Sequence, residues 1–197
     1  LKQQDKRVSM VNDTPQWVFG YGSLIWRPDF EFIEAVPAAL SGFARRFWQG
    51  SHDHRGLPEH PGRVVTLVSA PGETCVGMAY LIKPEIVQHT FERLDYREKN
   101  GYERWRHPLT LQCGRSVDSL VYVAPKYNPA YLGHADADII VHQILRSEGP
   151  SGSNISYLLE LATALRRLNA CDKHVFELES LARSIMNKGS PCENFIQ

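Results

Sequence analysis

Two glycines and a serine follow the first apolar stretch of the sequence, in the run FGYGSLI at residues 19–25. Three known motifs do not fit this run. A dinucleotide-binding fingerprint would need a glycine at Ile25, a phosphate loop would need a following Gly-Lys-Ser/Thr, and a nucleophile elbow would need Gly-x-Ser-x-Gly. What remains is a tight turn whose backbone N–H groups can converge on an anion. The alternative is a tight turn that binds nothing.

Several carboxylates lie in the second half of a predicted helix at 84–99. A proline suits its first turn, and the Asn-Gly pair after it suits its end. Glu92, Asp95 and Glu98 could each serve as a general acid or base. Glu98 lies nearest the negative end of the helix dipole, which raises a carboxyl pKa in the direction that a general base near neutral pH needs. The residues alone leave all three open, and an exposed carboxylate paired with a neighbouring Arg or Lys is the alternative.

The run His52-Asp53-His54-Arg55 suggests a metal ligand set. No second cluster of ligands lies at a spacing typical of zinc sites, so no metal is predicted. In a predicted strand upstream, Arg45 and Arg46 must point to opposite faces, so that one of them could face a cleft. No Cys-x-x-Cys pair occurs, which indicates reduced thiols. The four cysteines are Cys75, Cys113, Cys171 and Cys192.

The 197-residue chain has an even charge balance, with 22 Lys and Arg against 22 Asp and Glu. Without a basic excess, non-specific binding to nucleic acid is not expected. No run approaches the ~18 apolar residues of a membrane helix, and no apolar signal core lies near the start. A cytoplasmic protein without a membrane partner is therefore expected, and its protein partners stay open. The length predicts one domain at 15–187, with a disordered arm or expression remnant at 1–14 and a flexible tail at 188–197.

The strand and helix patterns predict an α+β fold, because strands come first and helices cluster at the end. Pro71-Gly72 predicts a hairpin turn between the third and fourth strands, and Ser153 or Asn154 would cap the middle helix of the last three. Turn glycines between short strands favour a small curved or closed mixed β-sheet, barrel-like and flanked by helices. The predicted strands are 16–20, 43–51, 63–69, 75–82, 104–112 and 116–124. The last three predicted helices are 136–146, 154–168 and 173–186.

Short blocks spread along most of the chain occur in a fixed order. They are WVFGYGSLIW at 17–26, RRFWQGS at 45–51, HRGLP at 54–58, PGRVVTL at 61–67, LDYREKNGY at 94–102, YLG at 131–133 and GPSG at 149–152. Together they resemble the ChaC family of γ-glutamylcyclotransferases, in its glutathione-specific branch. The resemblance covers residues 16–185, and Asn100 departs from it where glycine is common.

This resemblance implies a γ-glutamylcyclotransferase-like fold and a reaction that needs no cofactor. The α-amine of a γ-glutamyl group attacks its own side-chain carbonyl, which yields 5-oxoproline and releases the rest of the peptide as an amine. For glutathione as the substrate, that amine is cysteinylglycine. The enzyme must supply ring-closing geometry, proton transfer and stabilisation of the oxyanion. The resemblance assigns the proton-transfer role to Glu98.

Binding roles for the glycine turn follow from the same resemblance. The backbone N–H groups that would hold the glutamyl α-carboxylate are those of Tyr21, Gly22, Ser23 and Leu24. Ser23 is then a ligand contact and not a nucleophile. Tyr131 would hydrogen-bond the substrate or Glu98, and its alternative is a half-buried structural tyrosine.

The second carboxylate of glutathione, on its glycine, needs a cationic partner. His54, Arg55 or Arg63 would face it, since an arginine suits bidentate binding of a carboxylate. A structural role in the loop is the alternative for these residues.

Two other functions remain open at this point. A non-catalytic regulator related to cation transport could use the same fold, but it should lack the glutamate or the glycine turn, and both are present. A cyclotransferase for other γ-glutamyl amino acids or amines would share a Tyr-Gly-Ser or Tyr-Gly-Thr turn. The residues around the turn and the RRFWQGS block favour the glutathione branch.

Overall fold

The computed structural model describes residues 14–188. The predicted arm and tail therefore lie outside the described residues, except for Thr14 and Lys188, and so does Cys192. No helix in the described part of the chain is long and apolar enough to cross a membrane.

Five strands close into a barrel. They are β1 (Gln16–Gly20), β2 (Glu34–Ser51), β3 (Gly62–Ile82), β4 (Glu103–Leu111) and β5 (Ser116–Val123). Their order is β1-β3-β2-β4-β5, and the barrel closes through parallel pairing of β1 with β5, while the other neighbours are antiparallel. The predicted α+β fold with a closed mixed sheet is confirmed.

The predicted hairpin at Pro71-Gly72 is wrong. Both of its predicted strands belong to β3, which pairs along its length with β2, as in the pairs Arg45 with Leu67 and Leu40 with Cys75. Gly72 has φ of +88° and lies in a bulge of β3. Ser69 pairs with Phe43 and Thr74 pairs with Ser41, so the residues between Ser69 and Thr74 are opposite a single residue of β2. Gly72 therefore lies within one strand and not in a turn between two paired strands. Both halves of β3 pair with β2, which is more distant in the sequence.

Four helices complete the fold, within a few residues of the predicted bounds. They are α1 (Pro84–Arg97), α2 (Ala137–Arg146), α3 (Asn154–Arg167) and α4 (Lys173–Lys188), and a two-residue pair, β6 (Glu148–Gly149) and β7 (Gly152–Ser153), precedes α3. Ser153 is the N-cap of α3, and its side chain accepts a hydrogen bond from the backbone N–H of Ser156, which confirms the predicted cap.

Alternation along β1 separates two apolar clusters. Trp17 and Phe19 pack in the main core with residues of the other strands and of α2–α4. Val18, on the opposite face, packs with Val87 and Leu94 of α1. Because β1 is packed on both faces, its carboxyl end and the end of α1 are held in fixed positions close to each other.

Candidate active site

A cavity lies where the end of α1 meets the turn that follows β1. Its inner chamber, of about 40 Å³, contains the glycine turn on one side, and its outer part, of about 200 Å³, opens to the surface. Four residues line both parts: Ser23, Glu98, Tyr102 and Tyr157. Asp53 and Arg55 line the outer part of the cavity but not the inner chamber.

Glu98 is the first residue after α1, and its N–H donates to the Leu94 carbonyl at 2.8 Å. Its side chain is 19% exposed. Burial raises the Glu98 pKa to about 7; Arg97 opposes the rise, and the charge of Asp53 adds to it. The predicted direction of the pKa shift is confirmed, but burial is its main cause, in place of the helix dipole.

Of the three acids that the sequence left open, Glu98 alone lines this cavity. Asp95 accepts hydrogen bonds from Arg104 at 2.5 Å and from the Tyr122 hydroxyl at 2.8 Å. Glu92 is exposed and accepts from Gln88, one helical turn away.

The glycine turn forms one turn of 3-10 helix at Ser23–Ile25. Its closing hydrogen bonds run from the Ile25 N–H to the Gly22 carbonyl at 3.0 Å and from the Arg27 N–H to the Ser23 carbonyl at 2.8 Å. The N–H groups of Gly22, Ser23 and Leu24 donate to no acceptor within residues 14–188. These three residues line the inner chamber, so the turn offers unpaired donors at a cavity wall.

Gly22 keeps the inner chamber open. A Cβ atom at this position would lie 2.9 Å from the Tyr157 hydroxyl and 3.1 Å from Cγ2 of Val65. A side chain here would therefore intrude on the chamber.

Arg97 connects the turn with the carboxylate. Its Nη2 donates to Oγ of Ser23 at 2.8 Å, and its Nε lies 3.5 Å from Oε1 of Glu98. A third contact runs from Nη1 to Asp29 at 3.3 Å. The relative position of Ser23 and Glu98 is thus fixed by one guanidinium group.

The predicted cationic residues separate into two groups. Arg55 and His54 line the outer cavity. Arg55 donates through Nη1 to the Ser153 carbonyl at 3.1 Å and to Oγ of Ser156 at 2.8 Å. Arg63 is buried away from the cavity, where it donates to Gln143 at 2.6 Å and to the Phe47 carbonyl at 3.0 Å.

Tyr131 is also not brought into this cavity. It forms an isolated β-bridge with Gln49, and its N–H donates to the Asn128 carbonyl at 3.0 Å. Arg45 and Arg46 do point to opposite sides, with side chains 1% and 22% exposed, but neither lines the cavity.

Sequence reasoning gave no site role to Tyr102, Tyr157, Asp53 or Arg97. Tyr102 and Arg97 fall inside one of the blocks quoted above, which is the signal that could have found them. Tyr157 stands beside leucines on the buried face of α3, a pattern that indicates core. Within residues 14–188, no group of three or more His, Cys, Asp or Glu side chains is placed to hold a metal ion.

Comparison with known proteins gives a consistent result along the whole domain. The model of the ChaC-like protein family matches residues 16–185. The chain is 42% identical over 185 residues to γ-glutamylcyclotransferase 2-3 of Arabidopsis thaliana, covering 90% of this chain and 93% of that protein. It is 38% identical over 191 residues to the glutathione-specific γ-glutamylcyclotransferase of Schizosaccharomyces pombe, covering 87% of this chain and 94% of that protein.

A solved structure is similar over nearly the same range. The crystal structure of a yeast γ-glutamylcyclotransferase specific to glutathione superposes with a TM-score of 0.82 at 32% sequence identity. The superposition covers 87% of this chain and 96% of the yeast chain.

Proposed function

The chain belongs to the ChaC-like protein family, and from this premise we propose that it is a glutathione-specific γ-glutamylcyclotransferase. It cleaves glutathione to 5-oxoproline and cysteinylglycine, without a cofactor or a covalent enzyme intermediate. One observation carries the proposal: a largely buried carboxyl group with a pKa of about 7 shares a small chamber with three unpaired backbone N–H groups.

Glu98 is the group that moves protons in this proposal. Its carboxylate takes a proton from the α-ammonium of the substrate, which frees the nitrogen lone pair to attack the γ-carbonyl carbon. The protonated Glu98 then gives its proton to the departing cysteinyl nitrogen as the C–N bond breaks. The ring nitrogen loses its second proton to the regenerated carboxylate, and this proton passes to solvent. A pKa near 7 suits a group that must accept and donate at neutral pH.

The glycine turn holds the glutamyl end. The α-carboxylate accepts hydrogen bonds from the N–H groups of Gly22, Ser23 and Leu24, and the Tyr21 N–H stands at the start of the same turn. Backbone donors fixed in a turn bind an anion without reorganisation, and they hold the α-amine and the γ-carbonyl in ring-closing geometry.

The outer cavity accommodates the cysteinylglycine part. Arg55 is the proposed partner of the glycine carboxylate, with His54 beside it, because both line the outer cavity. Arg63 has no part in this proposal because its guanidinium group is engaged elsewhere, and Tyr131 has none because it does not line the cavity.

We propose the cytoplasm as the place of action. In the described part of the chain, the cysteines at 75, 113 and 171 are free thiols, as is usual in a reducing compartment.

The proposal is tested by incubating the purified chain with glutathione and with γ-glutamyl-alanine in parallel and measuring the 5-oxoproline released. Glutathione should be consumed much faster than γ-glutamyl-alanine. Glu98→Gln should lower kcat by about 10²–10⁴-fold, since the shape is kept and the proton acceptor is lost. Glu92→Gln, on the exposed face of α1, is the matched control and should keep the full rate.

Three results would contradict parts of this proposal. Preference for γ-glutamyl-alanine would indicate a cyclotransferase of other γ-glutamyl compounds. Absence of 5-oxoproline from both substrates would favour a non-catalytic regulator. A Glu98→Gln rate within a few-fold of the original would remove Glu98 from the chemistry.

A further inference from the structure

Tyr157 lies on the first turn of α3 and is 5% exposed. Its ring is held on several sides: the rings of Trp26 and Phe47 meet it edge-on, with centroids 5.6 Å and 5.9 Å away, and the Arg55 guanidinium lies 5.6 Å from its centroid. A side chain fixed in this way presents its hydroxyl group in one position, without a conformational search.

The other tyrosine hydroxyls around the inner chamber already have acceptors. Tyr21 donates to the Tyr122 carbonyl at 2.6 Å, Tyr102 to the Val65 carbonyl at 2.8 Å, and Tyr122 to Asp95 at 2.8 Å. The Tyr157 hydroxyl donates to no acceptor within residues 14–188. It therefore has a hydrogen-bond donor left for a ligand.

The Tyr157 hydroxyl belongs to the same inner chamber as the glycine turn and Glu98. It lies beside Gly22, since a Cβ atom there would be 2.9 Å away, and Tyr157 lines the same inner chamber as Glu98. A γ-glutamyl group anchored on the glycine turn, with its α-amine within reach of Glu98, brings its γ-carbonyl into this chamber.

We propose that Tyr157 donates a hydrogen bond to the oxyanion that forms at the γ-carbonyl oxygen during ring closure. This inference rests on the proposed cyclotransferase function. When the α-nitrogen lone pair forms the new C–N bond, the π electrons of the carbonyl move onto its oxygen. Tyr157 stabilises that negative charge while keeping its own proton. Collapse of the intermediate restores the carbonyl and expels the cysteinyl nitrogen, which takes its proton from Glu98.

The electrostatics of the phenol suit a donor that is not deprotonated. Burial raises the Tyr157 pKa above its usual range, the N–H of Val65 partly offsets this, and the negative charge of Glu98 raises the pKa further. The neutral phenol therefore persists throughout the pH range in which Glu98 titrates. A neutral donor that is itself buried stabilises charge that develops in the transition state more than the uncharged ground state.

Ser23 is the other hydroxyl group in the inner chamber with a proton to donate, and it has a different place. Its Oγ accepts from Arg97 at 2.8 Å, and it belongs to the turn that holds the α-carboxylate. Loss of Ser23 should therefore weaken binding, whereas loss of the Tyr157 hydroxyl should slow the chemical step.

The test is a steady-state comparison of Tyr157→Phe, Ser23→Ala and the unchanged chain with glutathione. Tyr157→Phe should lower kcat on the order of 10²–10³-fold, the effect of removing one oxyanion donor, with KM within about threefold. Ser23→Ala should mainly raise KM. Tyr127→Phe is the matched control: Tyr127 is 70% exposed, its hydroxyl contacts Glu103, and it should keep both constants.

Each outcome decides the inference separately from the proposed function. If the unchanged chain releases no 5-oxoproline, the function itself fails. If that chain is active and Tyr157→Phe keeps kcat, or raises KM alone, the oxyanion role is overturned. If Tyr157→Phe fails to fold, as judged by circular dichroism, the hydroxyl has a structural partner, and the inference is also overturned.

Discussion

Glu98 illustrates how burial and two charged neighbours can adjust the pKa of one side chain. Burial moves its pKa to about 7, the Arg97 guanidinium 3.5 Å away opposes the rise, and the negative charge of Asp53 supports it. Asp53 is held in place by a hydrogen bond from Asn100. The pKa of the proposed acid and base is therefore a balance between one fixed cation and one fixed anion beside a buried carboxyl group.

This balance predicts opposite shifts in the pH dependence of kcat/KM. Glu98 must be ionised to accept a proton, so kcat/KM should fall as the pH falls through about 7. Arg97→Gln removes the cation that lowers the Glu98 pKa, so the acid limb should move to higher pH. Asp53→Asn removes an anion that raises it, so the acid limb should move to lower pH, each by up to about one unit.

The control for these profiles is Arg93→Gln, since Arg93 lies on the exposed face of α1 and does not line the proposed site. Its acid limb should stay in place. Shifts of the same sign for Arg97→Gln and Asp53→Asn would contradict this account.

At the scale of elements, the site depends on the ends of β1 and α1 being close. Packing of β1 on both faces fixes the start of the glycine turn, and the hydrogen bond from Arg97 to Ser23 fixes its middle. The turn then combines unpaired donors with a glycine whose missing side chain leaves the chamber open. A single methyl group at this glycine should therefore act on the ligand by narrowing the chamber.

Gly22→Ala tests this view of the turn. The Cβ atom would crowd the Tyr157 hydroxyl and Val65 and narrow the chamber, so glutathione binding should weaken. We expect kcat/KM to fall by at least about tenfold, or about 1.4 kcal/mol, when both chains are compared at a temperature at which both are folded. Unchanged kcat/KM would remove the turn from substrate binding.

At the scale of the whole molecule, partly buried polar contacts join the helical side to the barrel, and β2 makes two of them. Arg45 of β2 donates to the Tyr21 carbonyl at 2.6 Å and to Asp172, just before α4, at 2.7 Å. The Phe47 N–H, where β2–β3 pairing is interrupted, donates to Nε2 of His174 on α4 at 3.1 Å. The hydrogen bond from Arg45 to the Tyr21 carbonyl also holds Tyr21, the residue that begins the glycine turn.

Arg45→Met should be strongly destabilising, because it leaves Asp172 and two backbone carbonyls without their buried cation. The free energy of unfolding, measured by urea denaturation, should fall by about 3–5 kcal/mol. The neighbouring Arg46→Met is the matched control: its side chain is 22% exposed and pairs with Glu73, so it should cost about 0–1 kcal/mol. Equal losses for the two substitutions would show that the Arg45 network is not a structural tie.

The sequence by itself determined the local features of this protein. Alternation, helical spacing and turn residues gave the helices and most strands, because these signals depend on neighbours within a few positions. The ordered blocks gave the family and indicated Glu98 and the glycine turn, whose chemistry is carried by residue type. The α+β class followed from the order of elements, and turn glycines between short strands favoured a curved or closed sheet.

Only the tertiary structure decided which side chains share the cavity. It included Tyr157 and Arg97, excluded Arg63 and Tyr131, and made one strand, β3, where a hairpin was predicted. The physical reason is the range of the interactions. The bond from Arg97 to Ser23 joins positions 74 residues apart, and whether a buried polar group is paired or left free for a ligand depends on such distant partners.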